Sequence, residues 1–294
     1  MKTVTSFAAV AAIIAGIVIP LAYFWRHQKA RSAMPDEIVS FGFEDFWPQA
    51  SKEYAEVFHV IARLIAVVNE ALDTAEKKRS GLLDLSVISL VRATGFAMND
   101  VLILCGNGSG IGAMKIVRGM FETSILAEYL RRNPNEVSDY VDFGAVLAWR
   151  RLHTLKGEKR NSMTPAQVKQ LEDEYDSVKA RFTTNGKVRY NWTTKKLWKM
   201  AEELGRSESY DLVYGLACSL HHANFEGMMG YHQMKDGKLE MTSPPSFAWT
   251  GAALVAAQEN LWRALKTLND CCKLSFDARV ETSSEEFKDL WQNR

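Results

Sequence analysis

Two short groups of polar residues lie in otherwise apolar stretches of the chain, and their side chains are of the types that bind anions or move protons. Arg118 and Glu122 are spaced i, i+4. Tyr210, Tyr214 and His221 fall along one face of a later stretch if that stretch is helical. An imidazole titrates near neutral pH and can act as a general acid or base, and a guanidinium can stabilise phosphate charge. The two groups are therefore the first candidates for a site.

Both groups also have a purely structural interpretation. An Arg–Glu pair on an apolar helix is either an ion pair that organises the core or one wall of a polar pocket, and a buried pair needs further polar partners to offset its desolvation. His221 is either a core histidine with satisfied hydrogen bonds or an acid/base. We therefore predict Arg118, Glu122, Tyr214 and His221 as candidate catalytic residues in one polar pocket, with the structural role left open.

The metal and phosphate motifs of the sequence are incomplete. Cys218 and His222 have ligand spacing at i, i+4, but no second CxxC or HxxxH completes a zinc site, and the vicinal pair Cys271–Cys272 has no CxxC partner either. The glycine-rich loop Gly106–Gly112, followed by Lys115, matches neither GxxxxGK[ST] nor GxGxxG, so it predicts a helix–helix turn. We expect no metal, no cofactor and four reduced cysteines, as in a cytoplasmic protein.

The elements that must position these residues are helices. Hydrophobic residues make up 47% of the 294 positions, as in a globular protein, and they recur at intervals of three and four. The net charge of +1 argues against a dedicated nucleic-acid binder. Asn185-Gly186 and Asp236-Gly237 each predict a small hairpin. Helices are predicted at about 49–81, 82–105, 111–132, 135–155, 164–181, 195–205, 208–223 and 247–275, with a short one at Glu285–Trp291.

The stretch Leu82–Cys105 is apolar almost all round and has two interpretations. Its length would allow it to span a membrane. Arg92 and Asp100 lie within it, and charged side chains are costly inside a bilayer. We predict a buried helix of a soluble bundle.

The N-terminal segment Phe7–Trp25 contains no charged residue and is long enough to span a bilayer. A cleaved signal peptide is the alternative, but the aromatic residues that end the segment are poor cleavage-site residues. Lys2 precedes the segment, and three basic residues follow it: Arg26, Lys29 and Arg31. The positive-inside rule then places the remainder of the chain in the cytoplasm.

The fold class is thus predicted as all-α, with an N-terminal transmembrane helix before a multi-helix bundle that has one or two small hairpins. Residues 1–31 form the anchor, 32–48 a linker, 49–280 the bundle, and 281–294 a tail or short helix. The predicted partners are the membrane, through Phe7–Trp25, and a partner protein or a second copy of the chain.

Two motifs of this chain resemble a bacterial all-helical family of unknown function, DUF5677. The motifs are Arg118-x-x-x-Glu122 with Tyr129, and Tyr210/Tyr214 leading into Ser219-Leu-His221. The resemblance covers roughly residues 80–225. It implies no settled activity, but it implies that Arg118, Glu122, Tyr214 and His221 share one pocket between helices. It also implies that the membrane is the bacterial inner membrane.

Such bundles also resemble, more distantly, the HEPN ribonucleases of defence and toxin systems. Their signature places an Arg a few residues before a His on one helix, and this chain has no such pair, so Arg118 can meet His221 only through tertiary packing. The leading hypothesis is a non-catalytic interaction or sensing module anchored in the membrane. The alternative is a HEPN-like ribonuclease or another metal-independent hydrolase, with His221 as acid/base and Arg118 stabilising phosphate charge.

Overall fold

The computed structural model describes residues 42–43, 45–154, 163–222, 224–241 and 243–292, and most of these are helical. The predicted anchor Phe7–Trp25 lies outside the described residues, so the single span stays a prediction. The described residues fall into two compact units. Asn135–Thr194 forms the smaller unit, and the residues before and after it form the larger one.

The elements follow one another with short connections. In chain order they are α1 (Phe46–Glu53), α2 (Ala55–Lys78), α3 (Leu82–Gly106), α4 (Gly110–Arg132), α5 (Val137–Thr154), α6 (Pro165–Val178), β1 (Thr183–Thr184), β2 (Lys187–Val188), α7 (Leu197–Glu203), α8 (Ser207–Ser209), α9 (Gly215–His222), α10 (Phe225–Met229), β3 (His232–Lys235), β4 (Lys238–Met241), α11 (Thr250–Cys272) and α12 (Asp277–Gln292). A π-helical turn, Tyr210–Tyr214, joins α8 to α9.

The larger unit is built around α3, α4 and α11, which pack against one another, while α2 covers α3 and α11. Their facing side chains are fully buried, among them Val91 of α3, Phe121 of α4 and Leu261 of α11. Burying one such side chain contributes roughly 1.5–3 kcal/mol. Each of these helices buries a continuous apolar stripe. The three-and-four spacing of apolar residues in the sequence therefore predicts the helices correctly.

Helix α3 is the one helix in the described part of the chain that is long and apolar enough to cross a membrane, a test that the core helix of a soluble protein also passes. One side of α3 packs against α4 and α11. Phe96 and Ile103 stand on the other side and are 66% and 55% exposed. The helix is therefore buried along one side and not all round.

Several boundaries differ from those that the sequence predicts, most clearly at the two ends of the bundle. Helix α1 begins at Phe46, inside the predicted linker, and Tyr54 separates it from α2, where one continuous helix was expected. The last helix, α12, runs across the predicted boundary at residue 280 and is longer than Glu285–Trp291. It is docked on the bundle, since Trp291 Nε1 donates a hydrogen bond to Gln258 Oε1 at 3.0 Å. Tertiary contacts of this kind extend a helix beyond its own apolar period.

Both predicted hairpins are present. Strands β1 and β2 pair antiparallel, as do β3 and β4. The turn residues Asn185, Gly186, Asp236 and Gly237 all have positive φ, as two-residue hairpin turns require.

The smaller unit has its own core, formed by α5, α6 and the segment after α6. Phe143 and Phe182 meet edge to face at 5.1 Å, and Trp149 stacks on Tyr175 at 4.3 Å. The Arg150 guanidinium donates to the Val188 carbonyl at 3.1 Å, which ties α5 to the hairpin. None of the predicted site residues lies in this unit.

Candidate functional site

The π-helical turn Tyr210–Tyr214 sets the position of the candidate site. The rings of Tyr210 and Tyr214 stack with centroids 5.1 Å apart, and both lie against Phe121 of α4, at 6.2 and 5.2 Å. A π-helical turn holds one residue more than an α-helical i→i+4 turn. The turn thus brings the hydroxyl end of Tyr214 over the face of α4 that bears Glu122.

Arg118 and Tyr214 both contact the same oxygen atom of Glu122. Arg118 Nε lies 3.2 Å from Glu122 Oε1, and the Tyr214 hydroxyl donates to the same Oε1 at 2.9 Å. The Nε–H of Arg118 is not aligned with an acceptor, so this contact is an ion pair without a hydrogen bond. The Arg118 and Glu122 side chains are 25% and 38% exposed. The group is therefore a polar cluster at the edge of the core.

The protonation states within the cluster are well separated. Burial raises the pKa of Tyr214 well above its ordinary value, and the hydrogen bond to Glu122 raises it further. Burial by itself lowers the pKa of Arg118, but the hydrogen bond with Tyr214 and the charge of Glu122 outweigh it and raise that pKa. At neutral pH the cluster thus contains a guanidinium cation and a neutral phenol, and Tyr214 cannot serve as a base.

His221, the fourth predicted residue, does not join this cluster. It is exposed near the end of α9, and its ring meets the His222 ring edge to face at 5.0 Å. Within the described residues no hydrogen bond or ion pair links His221 to Arg118, Glu122 or Tyr214. The structure thus brings three of the four predicted residues into contact and leaves the proposed acid/base outside.

A second polar network lies deeper in the larger unit, and sequence reasoning missed it. Arg206 is only 2% exposed. Its Nη1 donates to Ser124 Oγ at 3.0 Å and its Nη2 to Asn260 Oδ1 at 2.8 Å, and the guanidinium lies 4.8 Å from the Phe121 ring centroid. Its Nε has no hydrogen-bond partner in the described part of the chain.

No carboxylate among the described residues forms an ion pair with the buried Arg206 guanidinium. Burial lowers its pKa to about 10, and the nearby charge of Arg263 lowers it as well, so the side chain still carries its charge at neutral pH. Little in the sequence indicates this role, because Arg206 follows Gly205 in the short connection between two helices, where an arginine is usually solvated.

The glycine-rich loop between α3 and α4 packs closely against the backbone of the segment that precedes α11. A Cβ at Gly110 would lie 2.2 Å from the Ala248 carbonyl oxygen, and one at Gly108 would lie 2.7 Å from the Ser246 nitrogen. The Ser246 N–H also donates to the Gly108 carbonyl at 3.0 Å. The glycines are thus needed because a second backbone segment lies directly against the loop.

A cavity with a volume of about 360 Å³ opens between α2 and α3. Its apolar wall is formed by Ile65, Val68, Leu72, Phe96 and Leu261. Four polar side chains line the remainder: Asn69, Asp73, Arg92 and Asn99. Arg92 Nη2 lies 3.2 Å from Glu76 Oε1, which leaves the other guanidinium N–H groups available.

One group in the described part of the chain has the atoms to hold a metal ion: Asp84, Cys271 and Cys272. The cysteines that the structure describes are free thiols, as expected from the sequence. The predicted spacing partners Cys218 and His222 do not appear in such a group among the described residues.

The comparison with protein families decides the classification. The family described as "Family of unknown function (DUF5677)" matches residues 84–239, a little over half of the chain. The chain belongs to this family. DUF5677 thus includes the Arg118–Glu122–Tyr214 cluster and Arg206, whereas Asn260 and the cysteine pair of α11 lie beyond the matched residues. The HEPN resemblance has no such match and stays a hypothesis. No curated protein and no solved structure matches the chain.

Proposed function

We propose that this member of DUF5677 is a non-catalytic sensing module whose helical bundle, anchored by Phe7–Trp25 at the inner face of a membrane, binds a small zwitterionic ligand between α2 and α3. The anchor is supported by the uncharged N-terminal segment and the basic residues that follow it. The binding site is supported by the cavity.

The observation that carries this proposal is the combination of cavity size and lining. A volume of about 360 Å³ falls in the range of small-molecule sites, and both apolar and polar side chains line the cavity. Within the described residues, the side chains of Asn69, Asp73 and Asn99 have no hydrogen-bond partner, although they lie around one opening. These groups are free to bind a ligand.

The charges around the cavity indicate the class of ligand. Arg92 supplies N–H donors suited to a carboxylate, and Asp73 supplies an acceptor suited to an ammonium group. The same cavity has an apolar wall that includes Leu72 and Leu261. A free amino acid with an apolar side chain has this distribution of charge and apolar surface.

The candidate cluster supports a non-catalytic role. Glu122 is already engaged by Arg118 and Tyr214, the phenol is neutral, and among the described residues His221 makes no hydrogen bond or ion pair with them. A general base must lie within hydrogen-bond reach of the proton that it removes. On this proposal Arg118, Glu122 and Tyr214 hold α4 and the π-helical turn together.

A thermal-shift experiment tests the proposal. The full-length chain, purified in detergent, is heated with each free amino acid at millimolar concentration. A ligand present at about 100 times its Kd stabilises the folded state by about 2.7 kcal/mol, so an apolar amino acid should raise the melting temperature by roughly 5 °C or more. Arg92→Gln and Asp73→Asn should abolish the shift. The matched control is Lys77→Gln, an exposed position on α2 outside the cavity, which should retain it.

Two outcomes would contradict the proposal. One is the absence of a shift with every amino acid, or a shift that persists in both cavity variants. The other is RNA cleavage by the wild type that His221→Ala abolishes without a change in melting temperature, since that result would establish the ribonuclease alternative.

A further inference from the structure

A carboxylate and two thiols converge where the beginning of α3 meets the end of α11. Asp84 lies in the first turn of α3, and Cys271 and Cys272 are the last two residues of α11. Cys271 Sγ lies 3.7 Å from Asp84 Oδ1, and the ligand atoms of all three residues lie within 4.8 Å of one another. All three residues are half-buried, so the group is shielded but open to solvent.

We propose that Asp84, Cys271 and Cys272 bind a thiophilic divalent cation, Zn²⁺ in the first instance, with the fourth coordination position open to water. The site joins two helix ends that are 187 residues apart in the chain. A bound ion therefore acts as a clamp between α3 and α11.

The spacing of the ligand atoms fits a tetrahedral ion. Zn–S bonds of about 2.3 Å and Zn–O bonds of about 2.1 Å at the tetrahedral angle place sulfur and oxygen about 3.6 Å apart. The observed separation between Cys271 Sγ and Asp84 Oδ1 is 3.7 Å. An ion can thus bind these two atoms without a change in the distance between the helix ends.

The surroundings of Asp84 resemble the outer shell of a metal site. Its Oδ2 accepts hydrogen bonds from the Ser80 N–H at 2.8 Å and from the Ser80 hydroxyl at 3.1 Å. These bonds fix the carboxylate so that Oδ1 points towards the thiols, and outer-shell bonds of this kind hold metal ligands in orientation.

Charge and ligand type both select the ion. Two thiolates and one carboxylate carry three negative charges, which repel one another unless a cation lies between them. With a divalent ion bound, one negative charge remains, and the Lys78 ammonium lies close by, bonded to the carbonyl of Lys273 at 3.3 Å. Sulfur ligands favour Zn²⁺ and similar ions over Mg²⁺ and Ca²⁺, which prefer oxygen.

The test uses the full-length chain in detergent, stripped of metal and kept reduced with a phosphine. Co²⁺ added to it should give a thiolate-to-metal charge-transfer band that saturates at one equivalent, that Zn²⁺ abolishes and that Mg²⁺ leaves unchanged. Cys271→Ser and Cys272→Ser should each remove or strongly reduce the band. Ser80→Ala, which removes one outer-shell bond, should weaken affinity about tenfold. The control Cys218→Ser removes a thiol outside the group and should leave the band unchanged.

A second measurement needs no variant. Zn²⁺ should slow the alkylation of Cys271 and Cys272 in the wild-type chain, followed by mass spectrometry, and should leave the rate at Cys218 unchanged. The proposal is overturned by the absence of a charge-transfer band, by a band that Cys218→Ser abolishes, or by alkylation rates at Cys271 and Cys272 that Zn²⁺ does not alter.

Discussion

Arg118 and Arg206 lie in the same part of the larger unit, close to the aromatic group of Phe121 and Tyr214, but they are held in opposite ways. Arg118 has a carboxylate partner, Glu122, and is a quarter exposed. Arg206 is almost completely buried and is held by the neutral oxygens of Ser124 and Asn260. The arginine with the stronger partner is therefore the one that water also solvates.

The difference shows which of the two networks the fold depends on. An ion pair that remains partly solvated contributes little, because water replaces whatever the partner gives. A buried guanidinium has no such replacement, and any lost hydrogen bond leaves a desolvated charge. We therefore expect changes around Arg206 to cost several times more stability than changes around Arg118.

The largest effect is expected from Asn260→Leu. This change removes the acceptor of the Arg206 Nη2 bond while the charge stays buried, and it should lower the free energy of unfolding by about 3 kcal/mol. Urea denaturation of the detergent-purified chain, followed by circular dichroism, measures this loss.

The matched comparison is Arg206→Met, which removes the charge itself and keeps much of the apolar volume. It should cost less than Asn260→Leu, because Ser124 and Asn260 still bond to each other at 2.8 Å. An equal or greater loss of stability in Arg206→Met would mean that the buried cation itself contributes net stability.

A smaller effect is expected from Tyr214→Phe. The change removes the hydroxyl that donates to Glu122, and it should cost about 1 kcal/mol, because the half-exposed carboxylate then binds water instead. The same denaturation experiment measures it. Tyr210→Phe is the control, because no hydrogen bond of its hydroxyl is present in the described part of the chain; a loss as large from this control would place the effect in the rings and not in the bond.

The same tyrosine predicts how stability changes at high pH. Burial and the bond to Glu122 raise the pKa of Tyr214 in the folded chain, whereas the unfolded side chain ionises at about 10. Above that pH the folded state binds more protons than the unfolded state, so stability falls as pH rises. The stability that Tyr214 contributes through its raised pKa is fully present below pH of about 10, the unfolded value. Tyr214→Phe should therefore lose stability less steeply between pH 10 and 11 than the wild type, and identical slopes would argue against the raised pKa.

The smallest effect is expected from Arg118→Gln. The ion pair with Glu122 is partly exposed and lacks an aligned hydrogen bond, so its loss should cost about 0.5 kcal/mol or less. Added salt should reduce even that difference, since screening weakens exposed pairs. A loss of 2 kcal/mol or more would be about the size of the Asn260→Leu effect and would remove the distinction between the two arginines.

Local features of the chain made most of the fold predictable. The helices follow from the apolar period, and the hairpins follow from Asn185-Gly186 and Asp236-Gly237, because both signals depend only on neighbouring residues. The start of α1 and the length of α12 were not predictable in this way. Docking on the bundle, as at Trp291, decides where those helices begin and end.

The same distinction between local and long-range contacts applies to the candidate site. Arg118 and Glu122 were predictable because they are one helical turn apart. Tyr214 lies 92 residues from Glu122, and only the family resemblance associated the two. Arg206 bonds to residues 82 and 54 positions away, and Asp84 lies 187 positions from Cys271. Contacts between residues so far apart in the chain produce no repeating pattern in the sequence, so the sequence does not predict them.

The π-helical turn Tyr210–Tyr214 also has an evolutionary consequence. Such a turn contains one residue more than a regular helix needs, so a single-residue deletion there would restore an uninterrupted α-helix. The π-helical turn accommodates the extra residue locally, so the deletion would leave the helical segments on either side in nearly the same register. A one-position gap in an alignment of DUF5677 sequences at this turn would therefore mark members in which this segment is an uninterrupted α-helix.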